Sequence, residues 1–187
     1  GIETCTVQVE VDLRAGLPAF SIVGLADVAV QEARERVRAA LLNSELEFPQ
    51  KRLTVNLAPA HVRKAGPSFD LAIAVGLLAA EGLVRVEAAA DLLLVGELSL
   101  DGGLKEVRGV LPVAIAARDG GLRGLVVPPG NAAEAALVRD VEVYPAKHGW
   151  CVPDMPMEDG APIFDKVQAE RAWSKLGTKA TEVPGFG

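Results

Sequence analysis

Between Phe69 and Ala80 the chain reads Phe-Asp-Leu-Ala-Ile-Ala-Val-Gly-Leu-Leu-Ala-Ala, with Asp70 as its only charge. A helix of that composition is apolar on every side, so other elements have to enclose it. The uninterrupted run from Leu71 to Ala80 is too short to cross a bilayer, so the enclosure is protein and no membrane is expected. Half of the 187 residues are apolar but only 4% are aromatic, which leaves Ala, Val, Leu and Ile to build the core, as in helices packed on a sheet. This length suits one full-sized domain.

The elements around that helix follow from periodicity. Thr6 to Leu13 alternates, with Val7, Val9, Val11 and Leu13 on one face and Gln8, Glu10 and Asp12 on the other, the pattern of a half-exposed strand. Cys5 shares the apolar parity and is expected in the core. Gly16-Leu17-Pro18 turns the chain into a second strand, Ala19 to Val23. Asp27 is placed to cap a helix in which Val30, Ala33, Val37 and Leu41 keep helical spacing. Arg52 to Leu57 reads as a third strand and Leu92 to Leu100 as a central one, ending at the Asp101-Gly102-Gly103 turn. Val110 to Ala117 is a helix with Pro112 in its first turn. Leu122 to Val127 is a strand, Asn131 caps a short helix, and Val141 to Tyr144 closes the sheet. The expectation is an α/β fold with a mixed sheet and helices packed on it.

After Ala146 the character changes. Residues 147–187 hold both tryptophans, both methionines and Pro153, Pro156, Pro162 and Pro184, without sustained periodicity. They read as a linker or appendage to a domain of residues 1–146, or as a wrapped segment docking Trp150 and Trp173. The chain also opens directly in strand-like sequence, which suggests a few residues ahead of it.

A net charge of −6 argues against coating nucleic acid through global charge. The charge is unevenly spread, however. Arg34, Arg36, Arg38, Lys51, Arg52, Arg63 and Lys64 face only Glu35, Glu45 and Glu47 in the same stretch. Such a patch suits a DNA backbone or an acidic partner, or is an ordinary basic face balanced elsewhere. Cys5 and Cys151, far apart and unclustered, fit a reducing cytoplasm. His61 and His148 have no partners at ligand spacing, so no metal is expected. No G-x-x-x-x-G-K-[ST] loop occurs, so no backbone cradle for phosphates is present and no nucleotide cofactor is expected.

Three stretches carry more than fold class: Gly16 to Ala80, Leu92 to Gly121 and Leu125 to Val138. Their most specific segments are FSIVGL, EARERVRAAL, VNLAPA, GPSFDLAIA and GELSLDG. In this order the chain resembles the N-terminal domain of the ComM/YifB magnesium-chelatase-like AAA+ family over about three quarters of its length. The resemblance implies a fold like the Lon protease domain and domain 2 of ribosomal protein S5. It implies an accessory, non-enzymatic domain normally followed by an AAA+ ATPase module in the same chain. It also implies a role in DNA processing and natural transformation, in ring-shaped motors, so a homo-oligomer is a further possibility. Insertion of magnesium into a porphyrin is not implied. An S5-like fold also leaves room for a nucleic-acid-binding module.

The Lon-like reading raises one enzymatic alternative, a Ser-Lys peptidase. Gly66-Pro67-Ser68 opens the apolar helix as a Lon-type serine motif does, and Lys105 stands in GGLKE, similar to the Lon lysine motif. Aligning GELSL and AIAA with their Lon counterparts without gaps places the lysine position on Leu111, six residues beyond Lys105. Leucine takes no proton. On that register Ser68 is a helix N-cap and Lys105 a solvated turn residue, so the expected catalytic set is empty.

Overall fold

The structure is a computed structural model that describes residues 5–84 and 89–146; Trp150, Trp173, His148 and Cys151 lie outside these. The elements run β1 (Gln8–Arg14), β2 (Ala19–Val23), α1 (Val28–Gln31), α2 (Ala33–Asn43), β3 (Arg52–Ala58), a 3₁₀ turn (Pro67–Phe69) and α3 (Asp70–Ala80). They continue with β4 (Leu92–Leu94), β5 (Glu97–Leu98), β6 (Leu104–Lys105), α4 (Val110–Asp119), β7 (Gly124–Val127), a second 3₁₀ turn (Pro129–Asn131), α5 (Ala132–Ala135) and β8 (Glu142–Pro145).

The expected α/β architecture is present, but its strands are divided among several sheets. One has the order β1-β3-β2, the second β4-β7-β8, and β5 and β6 pair alone. β3 is central to the first, antiparallel to β1 and parallel to β2, so the two strands joined by Gly16-Leu17-Pro18 both pair with β3. The second sheet is wholly parallel, each crossover carrying a helix.

α3 is enclosed, as its composition demands. Leu71, Ile73, Ala74, Val75, Leu77 and Leu78 are buried among Leu53, Val55 and Leu57 of β3 and Val37, Ala40 and Leu41 of α2. Each large aliphatic side chain so buried contributes about 1.5–3 kcal/mol. Gly76 permits the close approach to β1, since a Cβ there would stand 2.9 Å from Val11 Cγ2. The second sheet divides the interior. Leu92, Leu94 and Val126 face the α3 core, whereas Leu93, Leu125 and Val127 face a second cluster with Val110 and Ala114 of α4.

Several local expectations are corrected. The single strand from Leu92 to Leu100 breaks at Val95-Gly96, because Gly96 turns its backbone to the start of α3. Its N–H donates to the Ser68 carbonyl at 3.1 Å and its carbonyl accepts from Leu71 N at 3.2 Å. Asp27 caps α1 as expected, Oδ1 accepting from Val30 N at 2.8 Å, but the helix is interrupted at Glu32 before α2. Asn131 is buried and does not cap α5. Its side chain closes both backbone groups of Val107, accepting from N at 3.0 Å and donating to O at 2.8 Å. Cys5 is exposed, since it lies ahead of β1 and outside the strand whose alternation was expected to bury it.

Candidate functional site

The basic stretch separates into two kinds of residue. Arg36, on α2, points into the protein. Its Nε donates to Asp70 Oδ2 at 2.6 Å and its Nη2 to Asp70 Oδ1 at 3.0 Å and the Ala29 carbonyl at 2.7 Å. Asp70 is fully buried at the start of α3 and also accepts from Leu98 N at 3.1 Å, so one carboxylate ties α2, α3 and β5 together. Burial pushes the Asp70 carboxyl above its usual range, against the opposing hydrogen bonds from Arg36. Those same bonds hold the guanidinium firmly protonated.

Lys64 is likewise engaged within the fold. It is 1% exposed, and its Nζ donates to the Gly24 carbonyl at 2.8 Å and to the Pro59 carbonyl. Its backbone pairs with Leu25 and Asp27, so it fastens the loop after β3 to the end of β2. Neither residue is presented to an external phosphate.

The others are at the surface. Arg38, Lys51, Arg52 and Arg63 are exposed and Arg34 is half-buried. Arg34 donates to the Gln31 and Phe20 carbonyls, which fixes its guanidinium beside β2. Arg38 lies over the Phe48 ring, 5.3 Å from its centre, and Phe48 packs on Phe20 with ring centres 5.8 Å apart. Arg34 and Arg38, with Glu35, Phe20, Phe48 and a Lys51 whose Nζ donates to Glu81 Oε1 at 3.0 Å, line a shallow pocket of about 280 Å³ at the β2 edge. Cations held by aromatic packing and backbone carbonyls suit an anionic group, the backbone of a nucleic acid included. The charges were visible in the sequence. Phe20 and Phe48 were not, because nothing local marks two aromatics that meet only after β2 and α2 fold together.

Ser68 lies in the 3₁₀ turn before α3. Its hydroxyl caps nothing and makes no hydrogen bond among the described residues, so the expected N-cap role is corrected; its carbonyl is the group in use. Ser68 borders an apolar groove between β1, α3, β4 and α4. Lys105 is in β6, exposed, opposite Glu97 with Nζ 3.7 Å from the carboxylate. No hydrogen bond joins it to Ser68. Leu111 is in the first turn of α4, its N–H donating to Glu134 Oε1 at 3.0 Å and its side chain packed on the second cluster. His61 is exposed, and no group of potential metal ligands occurs among the described residues. No helix among them is long and apolar enough to cross a membrane.

Comparison with known proteins places this geometry in a family. Residues 9–131 match the family described as subunit ChlI of Mg-chelatase. The chain is 44% identical over 144 residues to the competence protein ComM of Haemophilus influenzae, covering 77% of this chain and 28% of that protein. It is 42% identical over 148 residues to the uncharacterized protein YifB of Salmonella typhimurium, covering 79% and 29%. To the Lon protease of Xanthomonas oryzae it is 30% identical over 129 residues, covering 66% of this chain and 15% of that protein, in keeping with the Lon-like fold expected from the sequence. The chain therefore spans less than a third of the ComM and YifB relatives.

Proposed function

The chain belongs to the ChlI family of Mg-chelatase subunits, with ComM and YifB among its relatives, and from that premise we propose that it is a non-catalytic interaction domain of a longer ATP-driven, DNA-processing protein. The motor's nucleotide chemistry belongs to an AAA+ module elsewhere in that protein, since no phosphate-binding loop occurs here. The domain engages DNA while the motor works as a cytoplasmic homo-oligomer. The observation that carries this reading is the basic pocket at the β2 edge, where Arg38 lies over Phe48, Arg34 is held by backbone carbonyls and Lys51 is steadied by Glu81, within a chain of net charge −6. Arg52, next to Lys51 at the start of β3 and exposed, extends the positive surface.

The test is binding of a short mixed-sequence DNA duplex across a salt series. With three to four cations engaged, affinity is expected to fall on the order of a hundredfold between about 50 and 200 mM salt. Arg38→Glu and Arg52→Glu should each weaken binding and reduce the log–log salt slope by about 1 or more. Undetectable binding at low salt, or a slope unchanged by both substitutions, would sink the reading.

A Lon-like peptidase remains the alternative that the Lon similarity motivates. The cation nearest in sequence pattern, Lys105, is paired with Glu97, and Leu111 occupies the aligned lysine position. Turnover of a fluorogenic peptide is therefore expected to be at background and unchanged in Ser68→Ala. Loss of a measurable signal in that variant would reinstate the enzyme.

A further inference from the structure

Glu35 lines the same pocket at the β2 edge as Arg34, Arg38 and Lys51. A carboxylate there repels phosphate, so a purely anionic ligand is a poor match for the pocket as a whole. On α2, Glu35 and Arg38 stand three residues apart and share a face, a spacing that ordinarily gives an ion pair. None forms, because packing engages the neighbouring cations elsewhere. Arg38 lies over the Phe48 ring, and Arg34 donates through Nε to the Gln31 carbonyl at 3.0 Å and through Nη1 to the Phe20 carbonyl at 3.4 Å. Lys51 is drawn to Glu81. Among the described residues the exposed Glu35 carboxylate has no hydrogen bond or ion pair.

The pocket thus combines three kinds of surface. Its cations attract phosphate. Arg38 is exposed, so the guanidinium face turned away from Phe48 is open, and such a plane is a platform on which a base stacks. Beside it Glu35 supplies two acceptor oxygens and no donor. Pro18, Pro49 and Phe20 wall a volume of about 280 Å³, room for one base and too little for a duplex.

Two acceptors side by side select among the bases. Guanine presents N1–H and N2–H on its Watson–Crick edge, two parallel donors that one carboxylate receives together. Adenine and cytosine set a ring-nitrogen acceptor next to their amino group, and thymine flanks its N–H with two carbonyls. Each of these three therefore turns a lone pair against a carboxylate oxygen. In a duplex the guanine edge is occupied by cytosine, so it is available only from an unpaired strand.

From the uncommitted carboxylate beside a stacked guanidinium, we infer that the β2-edge pocket takes one unpaired guanine from single-stranded DNA. Glu35 accepts from N1–H and N2–H while the base lies on Arg38. Arg34 and Lys51 each keep N–H groups beyond those already engaged, and these meet the flanking phosphates. The inference rests on the nucleic-acid reading of this pocket and adds a base preference to it.

The test is fluorescence anisotropy of the full chain with short labelled oligothymidylates that differ at one central nucleotide. Central guanine should bind about tenfold tighter than central thymine, the order expected of a bidentate contact to a base. Hypoxanthine, which keeps N1–H and lacks the N2 amino group, should fall to within about threefold of thymine, and adenine and cytosine should match thymine. Annealing the guanine strand to its complement should abolish the preference. Glu35→Ala, checked for an unchanged melting temperature, should tighten the thymine strand but not the guanine strand, leaving the two within about twofold. Equal tightening of both strands would mean that the carboxylate merely repels phosphate, and overturns the inference. Salt-dependent binding of every strand without a guanine preference overturns it too, while leaving the nucleic-acid reading intact. Binding of no strand at low salt overturns both.

Discussion

Replacing Arg36 by methionine is expected to lower the unfolding free energy by about 3–5 kcal/mol, read from urea or thermal denaturation. The magnitude follows from what remains. Asp70 is fully buried and receives three hydrogen bonds, two of them from Arg36, so the variant keeps a carboxylate with only Leu98 N as partner. Arg36→Lys should recover only part of the loss, because an ammonium cannot reproduce the bidentate contact. Removing both partners with Asp70→Leu in the methionine background should recover much of it, since an apolar replacement strands no charge. The pH dependence has a definite sign. Burial already raises the Asp70 carboxyl in the folded protein, and loss of the guanidinium raises it further. A folded-state value above the unfolded one means that the native state holds more protons in the window between them. Stability then declines as pH rises from about 4 toward the folded-state value. The deficit of Arg36→Met should thus be smallest in acid and largest near neutrality. A deficit independent of pH would show that Asp70 is not the group left exposed to the cost.

The contrast between Arg36 and the apolar helix shows which parts of this protein its sequence discloses. α3 was legible because its information is local: apart from Asp70, its buried residues Leu71, Ile73, Ala74, Val75, Leu77 and Leu78 are all apolar, and composition alone announces them. β3 was legible for a similar reason, Leu53, Val55 and Leu57 alternating inward. Arg36 and Lys64 were not. Each looks like surface charge in its own segment, and its burial is set by contacts 34 and 40 residues away. The same holds for the break at Gly96, imposed by Ser68 and Leu71, and for Asn131, whose partner is Val107. Motif resemblance supplied the fold where periodicity could not arrange the strands, yet it did not say which cations of the patch reach solvent. That depended on side-chain geometry alone.

Gly24, inside the FSIVGL segment, makes the second large prediction: Gly24→Ala should cost about 3–5 kcal/mol and lower the melting temperature by roughly 10 °C or more. Two causes act together. The residue has φ of +106°, a conformation that strains an L side chain by about 1–3 kcal/mol. In addition, an added Cβ would press into the Leu57 carbonyl oxygen, with the carbonyl carbon only 3.0 Å away. That carbonyl belongs to β3, the central strand, which pairs with β2 up to Val23 and Asn56, so relief requires parting the strands just before the turn. The Gly24 carbonyl is also one of the two acceptors of the buried Lys64 ammonium, and moving it loosens that charge. Gly82→Ala separates the causes, because Gly82 has φ of +76° but open space where its Cβ would stand. Conformational strain alone should cost that variant about 1–2 kcal/mol. If the two substitutions destabilise equally, the close approach of Gly24 to β3 contributes nothing, and the glycine is explained by its dihedral angle alone.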